Sequence, residues 1–365
     1  MQSLLDLLRG RMQHPVDAAE WTALLNIAEQ ENVLPWAAEC LRLLFDGQCT
    51  LEQRQRLDEI HREAQVSNLV WTETLKSTLA AFHHADLPVI SLKGPCLADR
   101  LYGDAALRTC YDLDFLVRQA DLARAERLLT DAGFVPHGDA DDYHRRWLRK
   151  AIILELHHNV ENPRAFEIEM DAVWARTIVS EFQGLPIRLL GPSDELLYLC
   201  LHAVRHRFER LCLMLDLVFA FRRLPFPAAG ARGWDGAIFE NAAALGWMMA
   251  AHLDPQIPVP RSLRVQPRDQ ERLEKLADRL WNERMLEQAQ MLDWRAQHRF
   301  YLDVENPGRN RFQRRWRHMR ILQTRLIDAD FSFAAQFNLH RNWQVRLLRP
   351  VRLLIKALRP PSSLP

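Results

Sequence analysis

The sequence has few of the features that mark specialised classes of protein. Its six cysteines in 365 residues form no CxxC pair and no zinc-ligand spacing. Because most of them lie in apolar helical or strand contexts, they act as small hydrophobic residues, and reduced thiols are expected. The formal net charge is only +1, which excludes a global positive field that would draw the whole molecule onto nucleic acid.

Long apolar runs are absent as well. No stretch reaches the roughly 18 to 20 residues that a membrane-spanning helix needs. The opening MQSLLDLLRGRMQHP lacks a basic start followed by an apolar core, so we expect no secretory signal and a cytoplasmic protein. What is present, 48% hydrophobic and 26% charged residues, is typical of a folded globular chain.

Three regions differ in their patterns. Residues 1–87 are predicted to be helical, and the run 51–87 contains neither glycine nor proline, which indicates one long helix closed by Pro88. Residues 88–190 alternate between strand and helix patterns. Residues 191–365 return to helical periodicity and end in a basic tail. The expected fold is α+β, with a small mixed-sheet core flanked by N-terminal and C-terminal helical regions.

Individual segments can be assigned within the α/β region. LPVISLKG and DLDFLV have the length and apolar content of strands, and a helix is predicted between them near 95–102. ADLARAERLLTDAGF is predicted to be an amphipathic helix that ends at Gly133. KAIILELHH and FEIEMDAVW are predicted to be further strands.

The segment YDLDFLV places two carboxylates one residue apart inside an apolar run. In a strand, Asp112 and Asp114 point to one face, while Leu113, Phe115 and Val117 point to the opposite, buried face. Two neighbouring carboxylates repel each other unless a cation lies between them. The pair is therefore suited to Mg²⁺ or Mn²⁺, although a simply solvated polar face would give the same pattern.

A third carboxylate is expected beside this pair. In IILELHH, Glu155 lies between Leu154 and Leu156 on a predicted neighbouring strand and points away from them. Such a carboxylate can complete a two-metal site or activate an attacking hydroxyl, and His157 on the same face could orient it. An exposed polar face that happens to carry a glutamate is the alternative.

A phosphate-binding turn is predicted upstream, in SLKGPCLADRLYGDAALR. Gly94 follows an apolar strand and precedes a helix, which lets backbone amides approach a phosphate. Lys93 and Arg108 can place positive charge there. An ordinary strand-to-helix turn with Pro95 at the first helical position is the alternative.

Together these segments resemble a known family. The order is a strand with Lys-Gly, then LYGDAALR, YDLDFLV, LELHH, DAVWAR, LGPSDELLYLCLHAVRHRFERL and LDLVFAF. This order is similar to that of the uncharacterised bacterial nucleotidyltransferase family of the polymerase-beta-type superfamily, over about residues 88–224. The resemblance implies a nucleotidyltransferase core.

The resemblance also implies roles for single residues. Gly94 matches the glycine of the phosphate-binding turn, Asp112 and Asp114 match the metal-binding pair, and Glu155 matches the third carboxylate. Two departures stand out. Pro95 follows Gly94 where the superfamily usually has serine, which removes a hydroxyl and a backbone donor. In addition, 17 residues separate Gly94 from Asp112, more than the usual spacing.

Basic and histidine residues are implied to bind the nucleotide. Lys93 and Arg108 match basic residues of the family, for which a phosphate role is reasonable. His202 and His206 match a histidine pair in the helical segment after the core, and their spacing puts them on one helix face. A metal role is not indicated, since HExxH is absent. Polar packing against the sheet is favoured. If functional, these histidines, with Arg205 or Arg207, would contact nucleotide phosphates or the acceptor.

The expected activity is transfer of a nucleoside monophosphate from a nucleoside triphosphate, with Mg²⁺ or Mn²⁺, to a hydroxyl of a small molecule, a peptide or a protein. Pyrophosphate would be released. A phosphotransferase using the same triphosphate–metal site and a binding module without turnover remain alternatives. A metal-dependent sugar transferase ranks well below, since its fold predicts neither the Lys-Gly turn nor the LELHH strand.

Two basic segments near the C-terminus carry weaker signals. RNRFQRRWRHMR (309–320) invites a nucleic-acid interpretation, which we consider the less favoured one because basic helices are often solvated faces. The stretch after residue 340 is basic and amphipathic. It could contact an anionic membrane surface or a phosphorylated acceptor, whereas folding back onto the helical region is slightly favoured.

Overall fold

Apolar residues at helical spacing build four helices in the first part of the chain. The computed structural model describes residues 1–14, 17–138, 143–163, 166–226, 233–234, 237–261, 263, 265, 267–285, 300, 304, 333–337, 339, 344–345 and 348. The four helices are α1 (Gln2–Leu8), α2 (Ala18–Gln30), α3 (Leu34–Phe45) and α4 (Leu51–His84). A capping box starts α4, because Thr50 Oγ1 accepts from the Gln53 amide and the Gln53 side chain accepts from the Thr50 amide. The predicted single long helix is confirmed.

Seven strands form one mixed sheet. They are β1 (Ile90–Ser91), β2 (Leu113–Leu116), β3 (Val135–Pro136), β4 (His144–Arg149), β5 (Ile152–His157), β6 (Ile178–Phe182) and β7 (Leu185–Leu189). Their order in the sheet is β3-β4-β5-β2-β1-β7-β6. Strand β2 is central, antiparallel to β1 and parallel to β5.

Further helices cover the sheet and continue beyond it. They are α5 (Pro95–Tyr102), α6 (Leu122–Asp131), α7 (Met170–Ala175), α8 (Pro192–Arg205), α9 (Leu211–Arg223), α10 (Ala237–Leu253) and α11 (Pro267–Met285). Together with the sheet they confirm the predicted α+β class, a mixed sheet flanked by helices.

The two faces of β2 bury different neighbours, as strand alternation requires. Leu113, Phe115 and Val117 pack in one apolar cluster with the second half of α4 and with α6. The Phe82 and Phe115 rings meet edge to face, with centroids 5.8 Å apart. Leu116, on the opposite face, belongs to the larger cluster that includes the N-terminal helices and α8–α10. The polar residues of the candidate site share this second face.

One predicted strand is wrong. FEIEMDAVW contributes a single bridge, between Ile168 and Trp234, and then forms the helix α7. The alternation of FEIEM resembles a strand, but the Glu169 amide donates to the Gly233 carbonyl and Glu169 O accepts the first helical hydrogen bonds. Burial of Val173 and Trp174 then stabilises the helix.

The N-terminal and C-terminal helical regions share one apolar cluster. Trp36 of α3 contacts Phe219 of α9 and Tyr102 of α5, with ring centroids 5.0 and 5.9 Å apart. Among the described residues, no helix has both the length and the apolarity needed to cross a bilayer. The basic segment 309–320 and most of the tail after residue 340 lie outside the described residues.

Candidate active site

Parallel pairing of β2 with β5 brings two predicted carboxylates side by side. The register places Asp114 opposite Glu155 and Leu116 opposite His157. Because residues opposite each other share a face, both carboxylates project from the same side of the sheet. Asp114, Glu155 and His157 are all buried.

Asp114 has a different cationic partner at each carboxylate oxygen. The Lys93 Nζ lies 3.1 Å from Oδ2, and His157 Nε2 lies 3.1 Å from Oδ1. Burial alone would raise the pKa of Asp114, but the Lys93 charge and the His157 hydrogen bond lower it. Burial would lower the pKa of Lys93, and the charge of Asp114 outweighs it and raises that pKa.

Glu155 is held by the neighbouring strand β4. The Arg146 Nε donates to Oε1 at 2.8 Å, while His157 and His144 approach Oε2 at 3.5 and 3.7 Å. The His144 and His157 rings stack with centroids 5.0 Å apart. Although burial opposes it, the hydrogen bond and charge of His157 set the pKa of Glu155 well below its usual range.

Asp112 is less buried than the other two predicted carboxylates. It immediately precedes β2 and is half-buried, unlike Asp114. Burial, followed by the charge of Asp114, raises the pKa of Asp112 to about 6, although Lys93 acts in the opposite direction. The predicted pair is therefore close enough in space for the two carboxylates to influence each other.

The donor set fits a divalent metal ion. One ligand atom each from Asp114, Glu155 and His157 lies within 4.8 Å of the others. Two carboxylate oxygens and an imidazole nitrogen suit Mg²⁺ less well than Mn²⁺, since imidazole favours the softer divalent ions. Burial would lower the pKa of His157, but its contacts with the two carboxylates raise it. A proton on His157 and a metal ion bound between these residues would therefore exclude each other.

The predicted turn at Gly94 requires glycine. Gly94 is the residue before α5 and has φ 80° and ψ −154°, a conformation that side chains other than hydrogen strongly disfavour. Pro95 follows at the first helical position. The turn fixes the backbone next to Lys93, whose neighbour Leu92 donates to Asp114 O at 2.9 Å.

Arg108 is bound to a carboxylate of the helical layer. Its Nε and Nη2 donate to the Asp216 carboxylate of α9 at 2.8 and 2.9 Å, and Tyr102 Oη donates to the same carboxylate at 2.7 Å. This buried network joins the segment before β2 to the helical layer. The structure therefore shows Arg108 in an ion pair with Asp216, and its phosphate role stays a prediction.

The two predicted histidines lie next to each other at the end of α8. The His202 and His206 ring centroids are 4.6 Å apart, and the Arg205 Nη2 lies 3.1 Å from His202 Nδ1 and 3.2 Å from His206 Nε2. Burial, then the charges of Lys93 and Arg205, keeps the pKa of His202 well below its usual value. A neutral His202 can therefore accept a hydrogen bond from Arg205.

A family model adds a finding that is independent of this geometry. The model described as "Uncharacterised nucleotidyltransferase" matches residues 17–253, well over half of the chain. The chain belongs to this nucleotidyltransferase family. The predicted resemblance and the predicted enzyme class are confirmed.

Solved structures give only distant likenesses to this nucleotidyltransferase. A solution structure of the antibiotic-resistance factor ANT(2'')-Ia is 14% identical and covers 42% of this chain and 83% of its own, with a TM-score of 0.34. A crystal structure of ANT(2")-Ia with adenylyl-2"-tobramycin is 15% identical, covering 40% and 86%, with a TM-score of 0.32. A tRNA-processing enzyme in an apo form is 12% identical, covering 78% and 89%, with a TM-score of 0.24.

Similarity this low carries no part of the functional assignment. No curated protein matches the chain. The assignment of the chain to the nucleotidyltransferases therefore rests on the family model.

Two residues around the site were not predicted, Arg146 and His144, which reach Glu155 from β4. Arg205, which follows His202 on α8, donates to the Tyr143 hydroxyl, and its Nε lies 3.3 Å from Glu161. YHRRWLR does not alternate between apolar and polar residues, so the sequence carries no clear signal for β4. The pairing of Arg146 and His144 with Glu155 depends on strand register, which the sequence does not state.

Proposed function

We propose that this nucleotidyltransferase moves a nucleoside monophosphate from a nucleoside triphosphate to a hydroxyl of an acceptor, with Mg²⁺ or Mn²⁺, and releases pyrophosphate. The acceptor would be a small molecule, a peptide or a protein. The observation that carries this proposal is the pairing of Asp114 with Glu155 on parallel strands, with His157 beside both.

The residues of the site divide into a metal-holding group and a phosphate-holding group. Asp114, Glu155 and His157 would hold the divalent ion, which, when bound, neutralises phosphate charge and lowers the pKa of the acceptor hydroxyl. Lys93 and Arg205 lie on the same side and would attract the triphosphate. Gly94 would let the backbone approach a phosphate, within the limit that Pro95 lacks an amide hydrogen.

Asp112 is the carboxylate best placed to accept the acceptor's proton. Both oxygens of Glu155 are engaged by Arg146 and His157, whereas Asp112 is half-buried and nearer to solvent. The acceptor oxygen then forms a bond to the α-phosphorus, the bond from that phosphorus to the bridging oxygen breaks, and pyrophosphate leaves. The sequence predicted Asp112 as a metal ligand, and this proposal makes it the base. The sequence predicted Glu155 as a metal ligand or as the group that activates the hydroxyl, and this proposal keeps only the metal role.

Labelled nucleotides test the proposal. Each of ATP, GTP, CTP and UTP, labelled at the α-phosphorus, is incubated with the protein, Mg²⁺ and cell extract. We expect label in an acceptor together with unlabelled pyrophosphate. Transfer of a γ-label with release of nucleoside diphosphate would instead identify a phosphotransferase.

A pair of carboxylate variants supplies the control. Asp114→Asn should lower turnover by orders of magnitude, because it removes half of the carboxylate pair. Asp131→Asn, at the exposed end of α6, should leave turnover unchanged. Equal turnover in both variants would contradict the proposed role of Asp114.

A further inference from the structure

The strongest unexplained feature of the site is a buried ammonium beside a buried carboxylate. Lys93 is 7% exposed and Asp114 is 1% exposed, and 3.1 Å separates Nζ from Oδ2. A lysine that only attracted phosphates would be expected to extend toward solvent. Here its charge is directed at the carboxylate that would hold a metal.

The backbone fixes Lys93 in this position. The Ser91 hydroxyl donates to Lys93 O at 3.2 Å, and Leu92 N donates to Asp114 O at 2.9 Å. Gly94, in its glycine-only conformation, starts α5 directly afterwards. The backbone of Lys93 is therefore held between a strand and a helix, and its ammonium is buried against Asp114.

The two oxygens of Asp114 consequently face different surroundings. Oδ1 faces His157, a member of the donor set that fits a metal ion, whereas Oδ2 faces Lys93. Two-metal centres of polymerases place two cations about 3.5–4 Å apart around shared carboxylates. A second divalent ion on Oδ2 would have to lie against the ammonium, and repulsion between two cations in a water-poor site is strong.

We propose that the Lys93 ammonium permanently takes the place of one of two cations, so that the site binds a single divalent ion through Asp114, Glu155 and the His157 nitrogen. This inference rests on the proposed function, because it concerns the metal of the same site. Beyond the proposed function, it states that one divalent ion binds and that His157 supplies the nitrogen ligand. Since one ligand is imidazole, Mn²⁺ binds more tightly than Mg²⁺.

Manganese titration tests the proposal without measuring turnover. Mn²⁺ binding to the full chain is followed by electron paramagnetic resonance, with Mn²⁺ alone and with an α,β-methylene analogue of each of the four nucleoside triphosphates. The wild type should bind one Mn²⁺ per chain in both conditions. Two Mn²⁺ per chain would overturn the inference and leave the proposed function standing, whereas no Mn²⁺ binding would overturn both.

Variants at Lys93 test the cause of the single occupancy. Lys93→Gln removes the charge and should bind a second Mn²⁺ when the analogue is present, while Lys93→Arg keeps the charge and should bind one. Lys76→Gln, on the surface of α4, is the matched control and should behave as the wild type. A Lys93→Gln variant that is folded by circular dichroism and still binds one Mn²⁺ would contradict the proposal. If it does not fold, the wild-type and Lys93→Arg counts decide.

Spin-echo spectroscopy tests the nitrogen ligand. Bound Mn²⁺ should show a ¹⁴N coupling from imidazole in the wild type, and this coupling should be lost in His157→Gln but kept in His83→Gln, which changes an exposed histidine on α4. Absence of ¹⁴N coupling in the wild type would exclude His157 as a ligand.

Discussion

At the scale of single residues, the site consists of two buried carboxylates that are paired with basic side chains. Asp114 is bound by Lys93 and His157, and Glu155 is bound by Arg146 and His157. Buried charges are tolerated only when they are paired, because the cost of desolvation is otherwise several kcal/mol. Of these contacts, those of His157 reach one oxygen of each carboxylate that would bind an ion.

The buried pair of Arg108 and Asp216 predicts a large effect on stability. Arg108→Met should lower the free energy of unfolding by about 3–5 kcal/mol, because Asp216 is left buried without its cation. The double variant Arg108→Met with Asp216→Leu should recover most of this loss, since no unpaired charge remains. Urea unfolding measures both. A single variant as stable as the wild type would show that the pair contributes little.

The histidine that stacks on the site predicts a dependence of stability on pH. Burial, and then the charge of His157, lowers the pKa of His144 to about 3, whereas an unfolded histidine titrates near 6.5. Below that pH the unfolded chain binds a proton that the folded chain does not, so His144 reduces stability as the pH falls. When the pH is lowered from about 7.5 to about 5, the free energy of unfolding of His144→Asn should rise by about 2 kcal/mol relative to that of the wild type.

Urea unfolding of metal-free protein at the two pH values checks this expectation. His83→Asn, which changes an exposed residue, should keep the same stability difference from the wild type at both pH values. A His144→Asn variant with an equally constant difference would show that His144 titrates normally in the folded protein.

At the scale of single elements, the turn between β1 and α5 is the most constrained. Gly94→Ala should lower the free energy of unfolding by about 1–3 kcal/mol, because φ 80° with ψ −154° is accessible almost only to glycine. The Gly94→Ala variant should also lose most of its turnover, because a change in this turn would displace Lys93, the preceding residue.

Gly103→Ala at the end of α5 is the matched control. Its φ of 83° and ψ of −7° lie in the left-handed helical region, where alanine costs about 1–2 kcal/mol. We expect a loss of stability but no loss of turnover. Equal turnover in Gly94→Ala and Gly103→Ala would show that the first turn does not position the site.

Elements with strong local signals could be predicted from the sequence. Absence of glycine and proline identified α4, and the alternation around Asp112 identified β2 and its apolar face. Local patterns failed where a distant contact decides the structure. FEIEM alternates like a strand, yet the Gly233 carbonyl and the buried Trp174 stabilise a helical start there.

The candidate site shows the same division. Asp114 and Glu155 could be named because each carries a local strand pattern. The ion pair of Lys93 with Asp114 could not, because it depends on how β1 pairs with β2. The contact of Arg108 with Asp216 joins residues 108 positions apart, and no local pattern indicates it.

At the scale of the whole molecule, the N-terminal and C-terminal helices pack together against one face of the sheet. They share an apolar cluster in which Leu41 is fully buried, whereas Leu43, two residues away on the same helix, is 67% exposed. The sheet face that carries the site packs against this cluster through Leu116.

This shared cluster predicts that distant helices unfold together. Leu41→Ala should lower the free energy of unfolding by about 2–5 kcal/mol because it leaves a cavity, and Leu43→Ala should change it little. Both variants should unfold in a single transition by circular dichroism and by tryptophan fluorescence. Two separate transitions in Leu41→Ala would show that the N-terminal helices form an independent unit.

The central claim about this nucleotidyltransferase is the proposal that Asp114, Glu155 and His157 would hold its metal ion. An anomalous difference map from crystals grown with Mn²⁺ and an α,β-methylene nucleoside triphosphate tests it most directly. We predict one strong peak between these three side chains, with Lys93 still beside Asp114 and the α-phosphate facing Asp112. A peak elsewhere, or none between them when the nucleotide is bound, would contradict the claim.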